Sequence, residues 1–421
     1  MADVAVREPA WLAARRERAA ELSGQLDLPT FKGHTGWEFT DLGDFSLDAF
    51  EPAGGAAAGG ALFEPVLEAP EEAPSLVQVD AWSDGGDRSP QAGVTVMPLA
   101  EAAAQHPELV EHHLGSFVEL EDADAFVAAN ERGWEAGAFV HVAAGVRAEL
   151  PLVLAAVSAQ PGSVLHRRTL VVIEEGAEAE VWEQLVSASA EAALVNAVTE
   201  VVVGQNARLR YACAQDLNER SYLFANQRAG VARDGRLEWV ALGFGSATGR
   251  VRMVTTLAGP GADATVTGAY APHARQHVDY DTFQEHAAPN CRSDLAFRGI
   301  LADRSSSVWR GMIKVDPGAQ QTDAFQECRN LLLTKRAHAD AIPGLEILAN
   351  DVRCTHAAAV AQIDAEQLFY LRSRGLDPAT AKRLIVEGFL AALVERFEAE
   401  SPLRPAAAGA LERRLESVLG A

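Results

Sequence analysis

Apolar residues follow three different rhythms along this chain, and the changes of rhythm divide it. Between residues 9 and 23, Trp11, Leu12, Ala19, Ala20 and Leu22 recur at helical spacing among Arg and Glu, which predicts an amphipathic helix. The Ala/Gly tract from Ala53 to Ala61 and the Pro-, Glu- and Asp-rich stretch from Glu64 to Pro90 read as loop or linker, with Leu and Val residues that can form short strands. A second helical patch, Leu99 to Ala129, closes this region.

From Ala138 to Cys354 the period drops to two. Leu170–Ile173, Ala179–Trp182, Val198–Val203, Leu209–Ala212, Leu237–Leu242, Val251–Leu257 and Ala264–Ala269 are β-branched or alternating, each bounded by turn residues. A loose repeat runs through them: a turn with Gly, Asp or Asn, a small residue, then alternating apolar positions. It is seen at Glu175–Val181, Gly204–Tyr211, Asp234–Trp239 and Gly261–Val266, in copies roughly 25 to 30 residues apart. Units of this kind bury their apolar faces only by stacking, and a stack leaves two open ends that need caps or partners. A β-solenoid accounts for the pattern; a β-sandwich or barrel accounts for it nearly as well.

After Cys354 helical punctuation returns. Asp364 can cap a helix with Leu368, Phe369 and Leu371 facing inward and Gly375 at its end. Asp377-Pro378 starts another, whose broad apolar face carries Ala381, Leu384, Ile385, Phe389, Ala392, Leu393 and Phe397, and a third segment continues to Leu419. That face is wide for so small an end region, and either burial or docking of a partner explains it.

Composition narrows the function classes. A chain of 421 residues suggests two or three domains. Its formal net charge of −23 argues against binding nucleic acid or an anionic membrane and favours solubility or a basic protein partner. No window approaches the ~20 apolar residues of a membrane span, and Arg7, Glu8, Arg15 and Arg16 stand where a secretory signal needs apolar residues, so a cytoplasmic location is expected. Cys213, Cys291, Cys328 and Cys354 are scattered with no C-x-x-C pair, which supports neither a structural zinc site nor a private four-cysteine cluster. Free thiols fit a reducing compartment.

The junction at Cys354-Thr355-His356 is followed by Gln362-Ile363-Asp364-Ala365-Glu366-Gln367-Leu368-Phe369-Tyr370-Leu371-Arg372-Ser373-Arg374-Gly375. This run resembles the C-terminal signature of the SufB/SufD family, components of the SUF iron–sulfur cluster assembly system. His286-x-x-Pro289, Ser293, Arg298–Leu301, Arg310-Gly311, Cys328–Leu333, Pro343–Ile347 and the early Trp37-Glu38-Phe39-Thr40-Asp41 match the family in the expected order. The resemblance spans nearly the whole chain and is strongest from about 275 to 390. It implies a mainly β protein: a right-handed parallel β-helix core, residues 136–360, flanked by α-helical regions at 1–135 and 361–421. It also implies a noncatalytic subunit, not an enzyme, of the SUF scaffold complex that pairs with SufB and binds the SufC ATPase, with a homodimer possible when isolated.

The residues divide by chemistry. A thiolate and an imidazole two apart on a strand share a face and suit iron or sulfur, although on sequence alone buried structural roles are the favoured reading of Cys354 and His356. The resemblance implies that His356, with Cys354 beside it, lies at the cluster-assembly interface with SufB, where an iron–sulfur cluster is held transiently; no cofactor or metal is expected to be stably bound. It places Leu368, Phe369, Tyr370, Arg374, Leu384 and Phe389 in the SufC-binding region. Two departures matter. Ala357-Ala358-Ala359 replaces the family's Gly-Ala-Thr after the histidine, and Lys335–Asp340 has no cysteine where SufB carries its acceptor, so the resemblance leans to the SufD side. A SufB-like sulfur-accepting scaffold remains the alternative.

Cys213 and Cys328 read as core thiols, whereas Asn290 and Arg292 suggest more exposure for Cys291. His277, Asp279, Asp281 and His286 look like a metal cluster and would suit a metal-dependent β-fold enzyme, but strand alternation does not converge all four. Gly243–Gly249 lacks the Lys-Ser/Thr of a nucleotide loop and reads as a turn; there is no Gly-x-Ser-x-Gly and no His-Glu-x-x-His.

Overall fold

The computed structural model describes residues 8–34, 36–54, 63–83 and 85–420. Most of the predicted Ala53–Ala61 loop falls outside them. The first helix, α1 (Ala10–Ser23), is followed by the short strands β1 (Glu51–Pro52), β2 (Ser75–Val79), β3 (Trp82–Ser83) and β4 (Val94–Pro98). The predicted second helical patch is divided into α2 (Leu99–Gln105), α3 (Pro107–His113) and α4 (Ala125–Gly133). Sixteen strands then run without an intervening helix. They are β5 (Ala136–Val142), β6 (Leu152–Ser158), β7 (Ser163–Ile173), β8 (Glu178–Ser187), β9 (Leu194–Val203), β10 (Arg208–Asp216), β11 (Tyr222–Val231), β12 (Arg236–Gly243), β13 (Thr248–Leu257), β14 (Asp263–Tyr270), β15 (His277–His286), β16 (Arg292–Leu301), β17 (Ser306–Val315), β18 (Thr322–Leu332), β19 (His338–Ile347) and β20 (Val352–Gln362).

From β5 onward consecutive strands lie in opposite sheets. Odd strands form one parallel sheet, ordered β5 to β19, and even strands the other, ordered β6 to β20. This is a β-solenoid, and the roughly 25–30 residue repeat is one turn of it. Arg210 bonds Glu180 30 residues earlier and Glu238 28 residues later, each on the neighbouring strand. All seven predicted strand segments fall inside strands. Left-handed backbone at Asn206, Asp234, Asn290 and Asp303 explains the Asn and Asp of the turns, because short polar side chains tolerate that conformation best after glycine. Gly243–Gly249 is the turn from β12 into β13.

Alternation sends one set of side chains into the lumen. Leu165, Val181, Tyr211, Trp239, Tyr280, Phe297 and Trp309 belong to one continuous buried cluster there. The lumen is not wholly apolar. Glu183 accepts from Arg167 Nε (2.7 Å), Thr169 Oγ1 (2.6 Å) and Tyr211. Burial alone would raise its carboxyl, but Arg167 and the two hydroxyls outweigh that and hold it low.

The last strand, β20, runs to Gln362, two residues past the expected end of the core at 360, before α5 (Ala365–Ser373), α6 (Pro378–Val394) and α7 (Leu403–Gly420). Asp364 and Asp377 cap α5 and α6 as predicted, and Pro378 opens α6. Val386, Leu390, Leu393, Leu411 and Leu415 pack on the outer face of the even sheet, against Trp182, Val240, Leu242 and Ile300. Much of the wide apolar face of these helices is therefore covered by the solenoid itself. Among the described residues no helix is long and apolar enough to cross a membrane.

Candidate functional site: the open end of the solenoid

Both sheets end at the same place, with β19 and β20 paired on one side only. Register fixes which way their side chains point. Ala324 and Cys328 line the lumen, so their partners Cys354 and Ala358 do too, and His356, between them, stands above buried Gln326. Ala339 and Ala341 of β19 face the lumen from the other sheet. Cys354 is half-buried against the Ile313–Val315–Ala319–Ala324 cluster, whereas His356 is exposed because no further turn covers it. The rim is apolar: Ile347, Leu348 (50% exposed) and Val360 (43%) stand in solvent.

The thiol and imidazole therefore share the mouth, carried on Cα atoms about 6.6 Å apart by the rise of a parallel strand. Burial, with Asp323 nearby, pushes the Cys354 thiol up, so it is mostly protonated while the mouth is uncovered and would have to lose its proton to meet a metal or an electrophilic sulfur. The other cysteines are less available. Cys213 and Cys328 are buried and pushed up to about 12, chiefly by burial. Cys291 is buried as well, contrary to the exposure expected from its neighbours: its Sγ turns inward to the Gly259 carbonyl at 3.3 Å.

The metal-like quartet is dispersed, as alternation requires. His286 faces the lumen and meets Ser293 Oγ at 2.8 Å. His277, Asp279 and Asp281 face outward, where each is already occupied. Thr40 Oγ1 donates its one proton to Asp279, so it accepts from His277 Nε2 (3.0 Å), and His277 Nδ1 then accepts from Ser306 Oγ (2.7 Å). Burial keeps His277 low, in agreement with a neutral ring. Arg250 pairs with Asp279 and Asp281, and Arg310 with Asp281 and Glu38. Among the described residues no group of three or more His, Cys, Asp or Glu side chains could hold a metal.

This outer network explains the early Trp-Glu-Phe-Thr-Asp element. Trp37 lies under the Arg250 guanidinium (4.5 Å) and stacks on Phe126, while Thr40 is clasped to β15. The segment is a strap across the odd sheet. A motif match marked it; nothing local to the sequence gave its partner.

The predicted partner-binding helices are only partly free. Phe369 is 72% exposed and Tyr370 55%, with Arg374 over the Tyr370 ring. The expectation that Phe369 faces inward is overturned: α5 packs chiefly on α6, and within α5 only Leu368 and Leu371 are half-buried. Leu384 is exposed on α6. Phe389 is half-buried, because Arg298 lies over its ring (4.9 Å) and donates to its carbonyl (2.6 Å).

Comparison with known proteins defines the class. Residues 155–389 match the SufBD core domain of SUF-system FeS cluster assembly, and residues 73–154 match the SufBD N-terminal region, so the chain belongs to the SufBD family. Among individual proteins it is similar to the iron–sulfur cluster assembly protein SufD of Bacillus subtilis, at 29% identity over 94% of this chain and 92% of the relative. A SufBD family protein of Mycobacterium tuberculosis is 35% identical over 52% of this chain and 56% of its own length.

Proposed function

We propose that this chain is a noncatalytic subunit of a SUF scaffold complex. Its open end pairs with a SufB-like solenoid, and α5 with the exposed part of α6 docks a SufC-type ATPase. The observation that carries this is the uncapped mouth: two unpaired strand edges with an apolar rim around an inward-facing thiol and imidazole. Unpaired edges of this kind invite addition of strands from another chain. A solenoid joined there would enclose Cys354 and His356 at the joint, where a nascent iron–sulfur cluster, the cargo, could be held by soft ligands out of water. ATP-driven closure of the ATPase would twist the pair and open the joint for release. The homologous SufD and the family's assembly role support this reading.

The test is co-purification of the full chain with the SufB-like and SufC-like proteins of its own genome. Truncation after Gly375 is a poor probe, since it strips the cover from Trp182 and Val240. The double variant Phe369→Ala/Leu384→Ser alters exposed side chains only. It should retain the SufB-like partner and lose the ATPase, whereas Val360→Asp should do the reverse. A wild-type chain that captures neither partner refutes the proposal.

A further inference from the structure

Two arginines on the outer face of the odd sheet stand without a counter-charge. Arg228 on β11 is half-buried and Arg252 on β13 is exposed, and among the described residues neither has a carboxylate within ion-pair distance. Arg228 Nε donates to Asn226 Oδ1 (3.2 Å), which turns its head group back along the strand towards the residue in register with Asn226, Arg252. The acids around the pair are already engaged. Glu200, in register with Arg228, is taken up by Arg168 and three backbone N–H groups. Asp281, in register with Arg252, bridges Arg250 and Arg310, and Asp124 caps α4. Burial and the Arg252 charge hold Arg228 below the ordinary guanidinium value, and the carboxylates nearby offset this only in part. A half-buried cation with no close counter-ion costs stability, which an anion bound from solution would recover.

The pair borders a cavity of about 270 Å³ beside the strap, with Asn226 and Arg252 in its lining. Trp37, Phe126 and Phe224 form its β11 side, the two phenylalanine rings stacked at 4.1 Å, and Phe283 and Met312 form its β15–β17 side. Small-molecule sites run from about 300 to 1,000 Å³, so this volume suits one compact ligand and excludes a peptide or nucleic-acid segment. We propose that the cavity binds a small aromatic oxyanion, a phosphate ester or carboxylate carried on a flat ring. Arg228 and Arg252 hold the acid group, and the ring lies among the aromatic side chains and Met312. Guanidinium forks match carboxylate and phosphate alike, and a flat ring gains from aromatic faces and a thioether. The site is on the side of the solenoid, away from the mouth, and stands whether or not the scaffold reading does.

The experiment is isothermal titration calorimetry of the full chain, at constant ionic strength, with phenyl phosphate and with benzoate. Inorganic phosphate and benzyl alcohol supply the acid and the ring alone. Saturable one-to-one binding of phenyl phosphate or benzoate is expected, tighter than that of either part, and the tighter of the two identifies the acid group. Arg252→Gln alters an exposed side chain only, so the fold is not at risk, and it should weaken that binding at least about tenfold. Arg233→Gln, at an exposed arginine on the turn after β11, should leave it unchanged. Three results overturn the proposal: neither ring acid saturates, phosphate or benzyl alcohol alone binds as tightly, or the two variants behave alike.

Discussion

The two ends of the solenoid face the same physical problem and solve it differently. At the start, β4 turns antiparallel against β5, the β2–β3 hairpin closes the even sheet, and α1 to α4 pack on the odd sheet through Leu12, Leu99, Val110 and Trp134. Fully buried charges fasten this cover. Arg168 pairs with both Glu131 and Glu200, Arg15 reaches Glu131, and Glu200 also accepts the backbone N–H groups of Gly115, Phe117 and Val118. At the far end there is no equivalent: strand edges, apolar rim and the Cys354–His356 pair are left open. The chain thus covers one edge by itself and leaves the other open.

The contrast can be broken most severely at the covered end. Arg168→Met leaves Glu200 without its cation in a dry site and weakens the hold on Glu131, so unfolding free energy in guanidinium should fall by about 3–5 kcal/mol. A loss below about 1 kcal/mol would show that the helices are held by apolar packing alone. Acid should act on the same end. Burial holds His166 at about 4, below its ordinary value, so the unfolded chain takes up a proton below about 6.5 that the folded chain refuses until about 4. The His166 contribution is therefore fully present above pH 6.5 and declines by about 3 kcal/mol as the pH falls to 4; His166→Asn should remove that part of the slope. The smallest effect belongs to the open end. Val360→Asp in the isolated chain should change stability by no more than about 0.5 kcal/mol, the range of ordinary surface substitutions. Thermal unfolding beside the wild type decides it, and a large loss would mean that the rim already has an occupant within the chain.

How much of this was legible in sequence depended on how local the cause is. Strand positions, the repeat and the caps at Asp364 and Asp377 follow from neighbouring residues and appeared directly. Alternation correctly separated His286 from His277, Asp279 and Asp281. The choice of solenoid over sandwich did not follow from pattern, because both bury alternate residues of short strands; family resemblance decided it. Phe369 was misplaced because helical spacing says which residues share a face but not whether anything lies against it.

The clasp between Thr40 and Asp279 joins residues 239 apart, and Arg310 reaches Glu38 across 272. During synthesis the strap therefore leaves the ribosome long before its docking surface exists. At about 5–20 residues per second, Trp37 and its neighbours wait roughly 10 to 50 s for β15 to arrive. Over that interval Thr40 and Glu38 lack their partners, although Phe126, on which Trp37 stacks, has already been made, and the growing stack of strands below is complete only in part. Docking of the strap is then a late event, which makes it a natural report that the solenoid has been wound past β15 and that the open end is about to form.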